Sequence, residues 1–221
     1  MKVDGVILDV DGTLWDSTEI VAKAWTQAAR EEKLDGIVVT PRMAKEQFGK
    51  TMKTIARNLF GGLSEEERAR LMERCSRREQ QALRETTACL LYPGVRETME
   101  TLSASRRLFI VSNCQKGYIE LLLAKNHLEP FVTDFECYGN NGNEKGPNIR
   151  LVVERNGLSS PVYVGDTAGD RESSAAAGVP FIYAAYGFGQ VTDYAAKIES
   201  FPELPGVLLG DGKPQSDSIR F

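Results

Sequence analysis

Val6, Ile7 and Leu8 run without a break into Asp9-Val10-Asp11-Gly12-Thr13, and this junction constrains the chain more than any other stretch. The apolar run, bounded by Gly5 and Asp9, predicts a buried strand. Two carboxylates two residues apart at the end of that strand do not follow from packing. Asp is rarely fully buried without a partner, and like charges at close range repel. A divalent cation would offset the repulsion, since Mg²⁺ is commonly held by one or two carboxylates together with substrate phosphate. Alternatively, one carboxylate is a nucleophile, because a carboxylate can carry a covalent phosphoryl group. Asp11-Gly12 alone reads as an ordinary turn, but the whole of DVDGTLWDS does not.

Beyond Asp11 the pattern becomes helical. Ser17 or Asp16 can cap a helix through Ile20, Val21, Ala24, Trp25 and Ala28, with Trp25 on its core face. Thr40-Pro41 predicts the N-cap and first turn of a helix reaching Phe48, and another is predicted from Thr51 to Phe60, ended by Gly61-Gly62. Ser64 followed by Glu65-Glu66-Glu67 opens a long helix to about Thr86. Residues 16–88 therefore read as all-helical. After Tyr92-Pro93-Gly94 the pattern alternates. Helices are predicted over Val95 to Ser103, Gln115 to His127, Lys145 to Asn156 and Thr167 to Ala177. Between them fall strands at Arg107 to Ser112, Phe131 to Phe135, Val162 to Gly165 and Phe181 to Tyr183, with a Gly/Asn-rich loop at 139–143. Such alternation predicts a parallel α/β sheet covered on both faces. Ligands in such sheets sit beyond the carboxyl ends of the strands. The segment from Gly210 to Phe221 is polar and reads as frayed.

Composition narrows the chemistry. The 221 residues suit one large domain or a domain with an insert, and a net charge of −4 gives no nucleic-acid or membrane footprint. No apolar signal region opens the sequence and no run approaches a membrane span. Cys75, Cys89, Cys114 and Cys137 share no metal-ligand spacing and read as reduced thiols of a cytoplasmic protein. His127 is the only histidine, so the chemistry must rest on carboxylates, Lys and hydroxyls.

Three further signals carry such groups. The strand RLFIVS ends in Ser112-Asn113, Lys145 stands at a predicted helix start, and Gly165-Asp166-Thr167-Ala168-Gly169-Asp170 sets two carboxylates four residues apart after a strand. Each alone has an ordinary reading: a helix cap, a solvated surface charge, a turn. Their order changes their weight. Asp9-Val10-Asp11-Gly12-Thr13, then Ser112-Asn113, then Lys145, then Asp166 and Asp170 resembles the full four-motif set of the haloacid dehalogenase (HAD) superfamily. GDTAGDRESSAAAGVP is similar to the fourth motif of its phosphoglycolate phosphatase and β-phosphoglucomutase branch.

The resemblance implies a Rossmann-like α/β core over residues 1–15 and 89–221, with an all-helical cap inserted at 16–88. It implies Asp9 as nucleophile and Asp11 as general acid and base. Mg²⁺ would be held by Asp9, the backbone carbonyl of Asp11, and Asp166, with Asp170 binding or orienting metal-bound water. Ser112 and Lys145 would contact the phosphoryl oxygens, helped by backbone N–H groups around Gly12, Thr13 and Asn113. The implied function is a Mg²⁺-dependent phosphatase acting on a small phosphorylated metabolite such as phosphoglycolate or a sugar phosphate, as a monomer or homodimer. A β-phosphoglucomutase-like mutase and a non-catalytic regulatory binding protein are the alternatives. The family's dehalogenases lack an acid at the position of Asp11, which argues against dehalogenation. Phosphonate hydrolysis would need a cap Lys, and Lys23, Lys33, Lys45, Lys50 and Lys53 leave that count open, but Asp11 favours phosphate esters.

Two other motifs were weighed. The stretch Ala44 to Thr51 approaches a phosphate-binding GxxxxGKT loop but lacks its first Gly and follows a predicted helix. It resembles instead the cap's substrate-specificity loop, where Lys50 could face the substrate, or a plain helix–helix turn. No GxGxxG follows the first strand, so a dinucleotide site has no support.

Overall fold

The computed structural model describes residues 3–209, so the stretch from Gly210 to Phe221 expected to fray lies outside the described residues. In chain order the elements are β1 (Gly5–Leu8), α1 (Thr18–Glu31), α2 (Pro41–Lys45), α3 (Met52–Phe60), α4 (Glu65–Glu85), α5 (Val95–Ser103), β2 (Arg107–Ser112), α6 (Tyr118–Asn126), β3 (Val132–Cys137), α7 (Tyr138–Asn141), α8 (Lys145–Arg155), β4 (Pro161–Gly165), α9 (Ala168–Ala177), β5 (Phe181–Ala184), β6 (Ala196–Ile198) and α10 (Leu204–Leu209). The six strands form one sheet in the order β3-β2-β1-β4-β5-β6, and every pairing is parallel. This is the α/β Rossmann-like fold.

Both sheet faces are covered, as a parallel sheet requires. Along β1 the side chains alternate: Val6 and Leu8 join a core with Met99 and Leu102 of α5 and Ile119 and Leu122 of α6, while Ile7 joins the opposite core with Ile149 and Val152 of α8. The central position of β1, with β2 on one side and β4 on the other, creates the switch point where the chain leaves in both directions. Leu8 is level with Ile110 and Val164, which brings the residues after β1, β2 and β4 to one end of the sheet.

The helices α1 to α4 carry a core of their own, built on Val21, Trp25, Ala28, Ile55, Phe60, Leu71 and Cys75. Helix α4 starts with a capping box, in which Ser64 accepts from Glu67 N–H and Glu67 reaches back to Ser64 N–H. Two connectors join this insert to the sheet, and they pair with each other: Asp16 N–H donates to Leu90 O at 2.9 Å and Tyr92 N–H to Leu14 O at 3.0 Å.

Several local expectations needed correction. The helix opened by Thr40-Pro41 stops at Lys45, and the chain turns through Gly49 at φ +83° before Thr51 caps α3. The helix expected from Gln115 starts at Tyr118, after Gly117 at φ +86°. Part of the expected loop at 139–143 is the helical turn α7. Strand β6 was missed because its three residues, Ala-Lys-Ile, have no apolar run of their own and extend only against β5. No helix among the described residues is long and apolar enough to cross a membrane.

Candidate active site

Asp9 follows β1 directly, and its backbone N–H prolongs the ladder to Val164 O at 2.9 Å. Asp166 follows β4, Asp170 lies in the first turn of α9, and Lys145 opens α8. The strand ends thus collect three buried carboxylates, Asp9, Asp166 and Asp170, whose oxygens lie within 4.8 Å of one another. Lys145 is buried among them, 2.9 Å from Asp9 Oδ1 and hydrogen-bonded to Asp170 Oδ1.

Each carboxylate is held differently. Asp170 Oδ2 accepts from Asp166 N–H at 3.1 Å, Thr167 N–H at 2.9 Å and Thr167 Oγ1 at 2.7 Å, and Thr167 and Asp170 form the capping box of α9. Burial opposes the charge, but Lys145 and Thr167 hold this carboxyl below its usual range. Asp166 accepts from Phe188 N–H at 2.7 Å and from Thr13 Oγ1 at 3.4 Å. Gly12 makes room for it: at φ +83° a Cβ there would stand 2.1 Å from Asp166 Oδ2. Burial, then Asp170 and Asp9, push Asp166 well above the usual carboxylate range. Asp9 Oδ1 is fully buried, and the Lys145 ammonium 2.9 Å away is its one close polar neighbour. Burial and Asp170 raise Asp9 to about 7, against the pull of Lys145.

This arrangement fits a divalent cation. One ammonium faces three carboxylates in a dry site, so negative charge is left over, and Asp9 Oδ1 keeps a lone pair beyond its contact with Lys145, near the least compensated carboxylate, Asp166. The oxygens of Asp170 are already engaged, which leaves Asp9 and Asp166 as the residues best able to hold the ion. All-oxygen donors suit Mg²⁺.

Asp11 stands apart from that cluster. Its Oδ1 accepts from Tyr118 OH at 2.8 Å, Ser17 Oγ at 3.0 Å and Trp15 Nε1 at 3.0 Å, and the other oxygen is in none of these bonds. Burial raises Asp11 to about 6 even though these three donors favour its charge. Sequence reasoning missed this cradle. Of the two expected caps, Ser17 takes the N-cap position of α1, but its side chain makes no cap bond and turns to Asp11, while Asp16 Oδ1 accepts from Thr18 N–H. Tyr118 lies 107 residues away, beyond the reach of any local pattern.

Asp11 opens onto a narrow cavity between the sheet and the insert, with a volume of about 30 Å³, room for roughly two waters. Ser112 and Asn113 contribute from the end of β2, while Trp25, Phe48, Gly49, Lys50 and Glu79 contribute from the insert. Asn113 Nδ2 donates to Gly49 O at 2.8 Å, joining the two walls. Lys50 lines the cavity, but its Nζ bonds Glu46 O at 2.7 Å and Gln47 Oε1 at 3.3 Å. Glu79 was also missed in the sequence. It is buried in α4, accepts from Trp25 Nε1 at 2.7 Å and from Gln115 Nε2 at 3.1 Å, and burial raises it to about 8. A lone Glu in the charged run of α4 offered no signal.

A doubly covered parallel sheet with a carboxylate and Lys cluster at its switch point, and helices inserted after the first strand, defines a Rossmann-like α/β protein with a charged site at its strand ends. The sequence profile described as haloacid dehalogenase-like hydrolase matches residues 6–184, and the chain belongs to that family. Among solved structures, a predicted phosphoglycolate phosphatase from Haemophilus somnus 129pt superposes with a TM-score of 0.82 at 18% identity, over 94% of this chain and 98% of its own. A predicted phosphatase from Clostridium acetobutylicum gives 0.81 at 18% identity, covering 95% and 100%. A HAD-superfamily hydrolase of subfamily IA from Geobacter sulfurreducens PCA gives 0.71 at 19% identity, covering 93% and 96%. At these identities the likeness concerns the fold. No curated protein matches the chain in sequence.

Proposed function

We propose that this hydrolase is a Mg²⁺-dependent phosphatase that cleaves a small phosphorylated metabolite, of the phosphoglycolate or sugar-phosphate kind, through an aspartyl-phosphate on Asp9. The observation that carries the reading is the division of labour between two carboxylates two residues apart. Asp9 Oδ1 is buried with the Lys145 ammonium 2.9 Å away as its one close polar neighbour, while Asp11 is held at the cavity by three donors on one oxygen. A turn or a structural ion pair needs neither feature.

Asp9 attacks phosphorus, forming an Oδ–P bond as the ester P–O bond breaks. Asp11, raised toward neutrality, gives its proton to the departing alkoxide. It then takes a proton from the water that attacks the aspartyl-phosphate, which releases inorganic phosphate and restores Asp9. Lys145 holds Asp9 in place and, with Ser112, neutralises charge on the phosphoryl oxygens. Backbone N–H groups around Gly12, Thr13 and Asn113 add donors. Bound Mg²⁺, held by Asp9 and Asp166 with Asp170 behind them, would supply the positive charge that brings two anions together.

Residues 16–88 act in this reading as a cap over the core of residues 1–15 and 89–221. The paired connectors at Leu14 to Asp16 and Leu90 to Tyr92 serve as its joint. Closure excludes water during transfer. The four free cysteines support a cytoplasmic setting. The test is phosphate release from a panel of phosphomonoesters with Mg²⁺, with EDTA and Asp9→Asn as controls. Release lost in both controls is expected. A folded, Mg²⁺-binding protein that releases phosphate from no ester overturns the reading. Phosphoryl exchange dependent on a sugar bisphosphate, with no net release, would identify a mutase instead.

A further inference from the structure

The cavity beside Asp11 is lined by Glu79, an acceptor once ionised, and by the amide oxygen of Asn113. Glu79 is a buried carboxyl whose hydrogen-bond partners, Trp25 Nε1 and Gln115 Nε2, are both neutral. Each of its oxygens keeps a lone pair beyond the bond it accepts. Asn113 Nδ2 is committed to Gly49 O, which fixes the orientation of the amide, and its Oδ1 is buried without any partner. Both residues line the same cavity as Asp11. Among the described residues, Lys50 is the one cation lining it, and that ammonium is turned back onto Glu46 and Gln47.

An unpaired buried carboxyl and an orphaned amide oxygen are both costly. A Gln at position 79 would satisfy Trp25 without a titrating group. The cost is repaid if a bound molecule brings donors to these acceptors. With Glu79 ionised, a substrate carboxylate in the same place would meet acceptors, find no free cation, and lose its hydration without compensation.

Resting on the phosphatase reading, we infer that Glu79 and Asn113 select the leaving group, and that the preferred substrate is a phosphomonoester whose alcohol carries hydrogen-bond donors, hydroxyl or ammonium, and no carboxylate. Phosphoglycolate is thereby disfavoured, and the polyol or amino-alcohol side of the small-phosphoester class is preferred. Glu79 acts on which ester is cleaved and takes no part in the bond changes at phosphorus.

The experiment compares kcat/KM for glycerol 3-phosphate, phosphoethanolamine, 2-phosphoglycolate and p-nitrophenyl phosphate, in the wild type and in Glu79→Gln, with saturating Mg²⁺. At pH 8.5 the Glu79 carboxyl, raised to about 8 by burial and the nearby Asp11 charge against the pull of Trp25 and Gln115, is mostly ionised. The wild type is expected to favour glycerol 3-phosphate or phosphoethanolamine over 2-phosphoglycolate by about tenfold or more. The ranking of those two names the donor. Glu79→Gln is expected to shrink the ratio at least about fivefold, whereas a merely structural loss lowers all esters together and leaves the ratio unchanged. Equal or greater activity on 2-phosphoglycolate in the wild type, or an unchanged ratio in Glu79→Gln, overturns the inference while leaving the phosphatase reading intact. Should Glu79→Gln fail to fold, the wild-type ranking alone decides. Failure of every ester, p-nitrophenyl phosphate included, overturns the phosphatase reading and this inference with it.

Discussion

The α/β core and the helical insert meet at one cavity and furnish it differently. The core contributes charge: Lys145 and three carboxylates, buried, close together and fastened by backbone donors at the strand ends and the first turn of α9. The insert contributes apolar surface from Trp25 and Phe48, a turned-back Lys50, and a single buried acid, Glu79. Its contacts across the cavity are few, such as Asn113 with Gly49, Gln115 with Glu79, and Phe48 and Lys45 against the Phe188 ring, at 5.8 and 4.9 Å from its centroid, and they include no ion pair among the described residues. A wall fastened by many charged bonds holds reacting atoms still. A wall joined by a few contacts and no ion pair can separate from the core without exposing an unpaired charge, which suits a part that must open and choose.

The contrast breaks most sharply at Asp9. Asp9→Asn, or EDTA with the native chain, is expected to cut phosphate release by roughly four orders of magnitude or more. Because burial and Asp170 disfavour the Asp9 charge, Asp9→Asn is expected to melt no lower than the wild type in EDTA. Thermal denaturation alongside the assay checks both parts. A variant that is active, or inactive only because it is unfolded, would remove the core wall's claim to the chemistry. Asp11→Asn comes next, with an expected loss of about 10²–10⁴ in kcat. A loss of the same size for both 2-phosphoglycolate and p-nitrophenyl phosphate, whose leaving group needs little protonation, would show that Asp11 does not act as an acid.

Lys145→Met tests the core wall's stability. It leaves Asp9, Asp166 and Asp170 buried without their cation, and urea denaturation is expected to show a loss of about 3–5 kcal/mol. On the insert side, Glu79 is raised from 4.5 to about 8, so between those values the folded chain keeps a proton that the unfolded chain has lost. Stability therefore falls as pH rises through that window. Glu79→Gln is expected to flatten this decline, read as a smaller drop in Tm from pH 5 to pH 8. An identical decline in both proteins would place the pH dependence in the core carboxylates alone. The smallest effect is expected at Phe48→Ala, a few-fold rise in KM with Tm nearly unchanged. A collapse of kcat there would mean that the insert takes part in the chemistry.

Much of this molecule was legible in its sequence. β1 and the carboxylates after it, the order of β1 to β5 and their helices, the all-helical stretch and the Thr40 cap of α2 follow from local pattern, because a strand's period, an N-cap and a Gly stop act over a few residues. Asp9 and Asp11 stood out because two carboxylates at a strand end have few explanations, and Asp166 and Asp170 gained weight from a motif order that resembles the HAD superfamily. Strand β6 did not, since a three-residue edge strand is defined by its neighbour. Nor did the partners of Asp11, since Tyr118 joins Trp15 and Ser17 only after α6 packs beside β1.

By itself, then, the sequence determined which groups could react, because side-chain chemistry and spacing along a strand or helix are local properties. Only the tertiary structure decided which of them are charged, which are committed and which are left open. Lys145 lies between Asp9 and Asp170, Lys50 is spent on its own helix end, and Glu79 and Asn113 face the cavity as acceptors. Those outcomes depend on burial and on partners tens of residues away, and electrostatic energy in a dry interior is set by such neighbours more than by the identity of the residue.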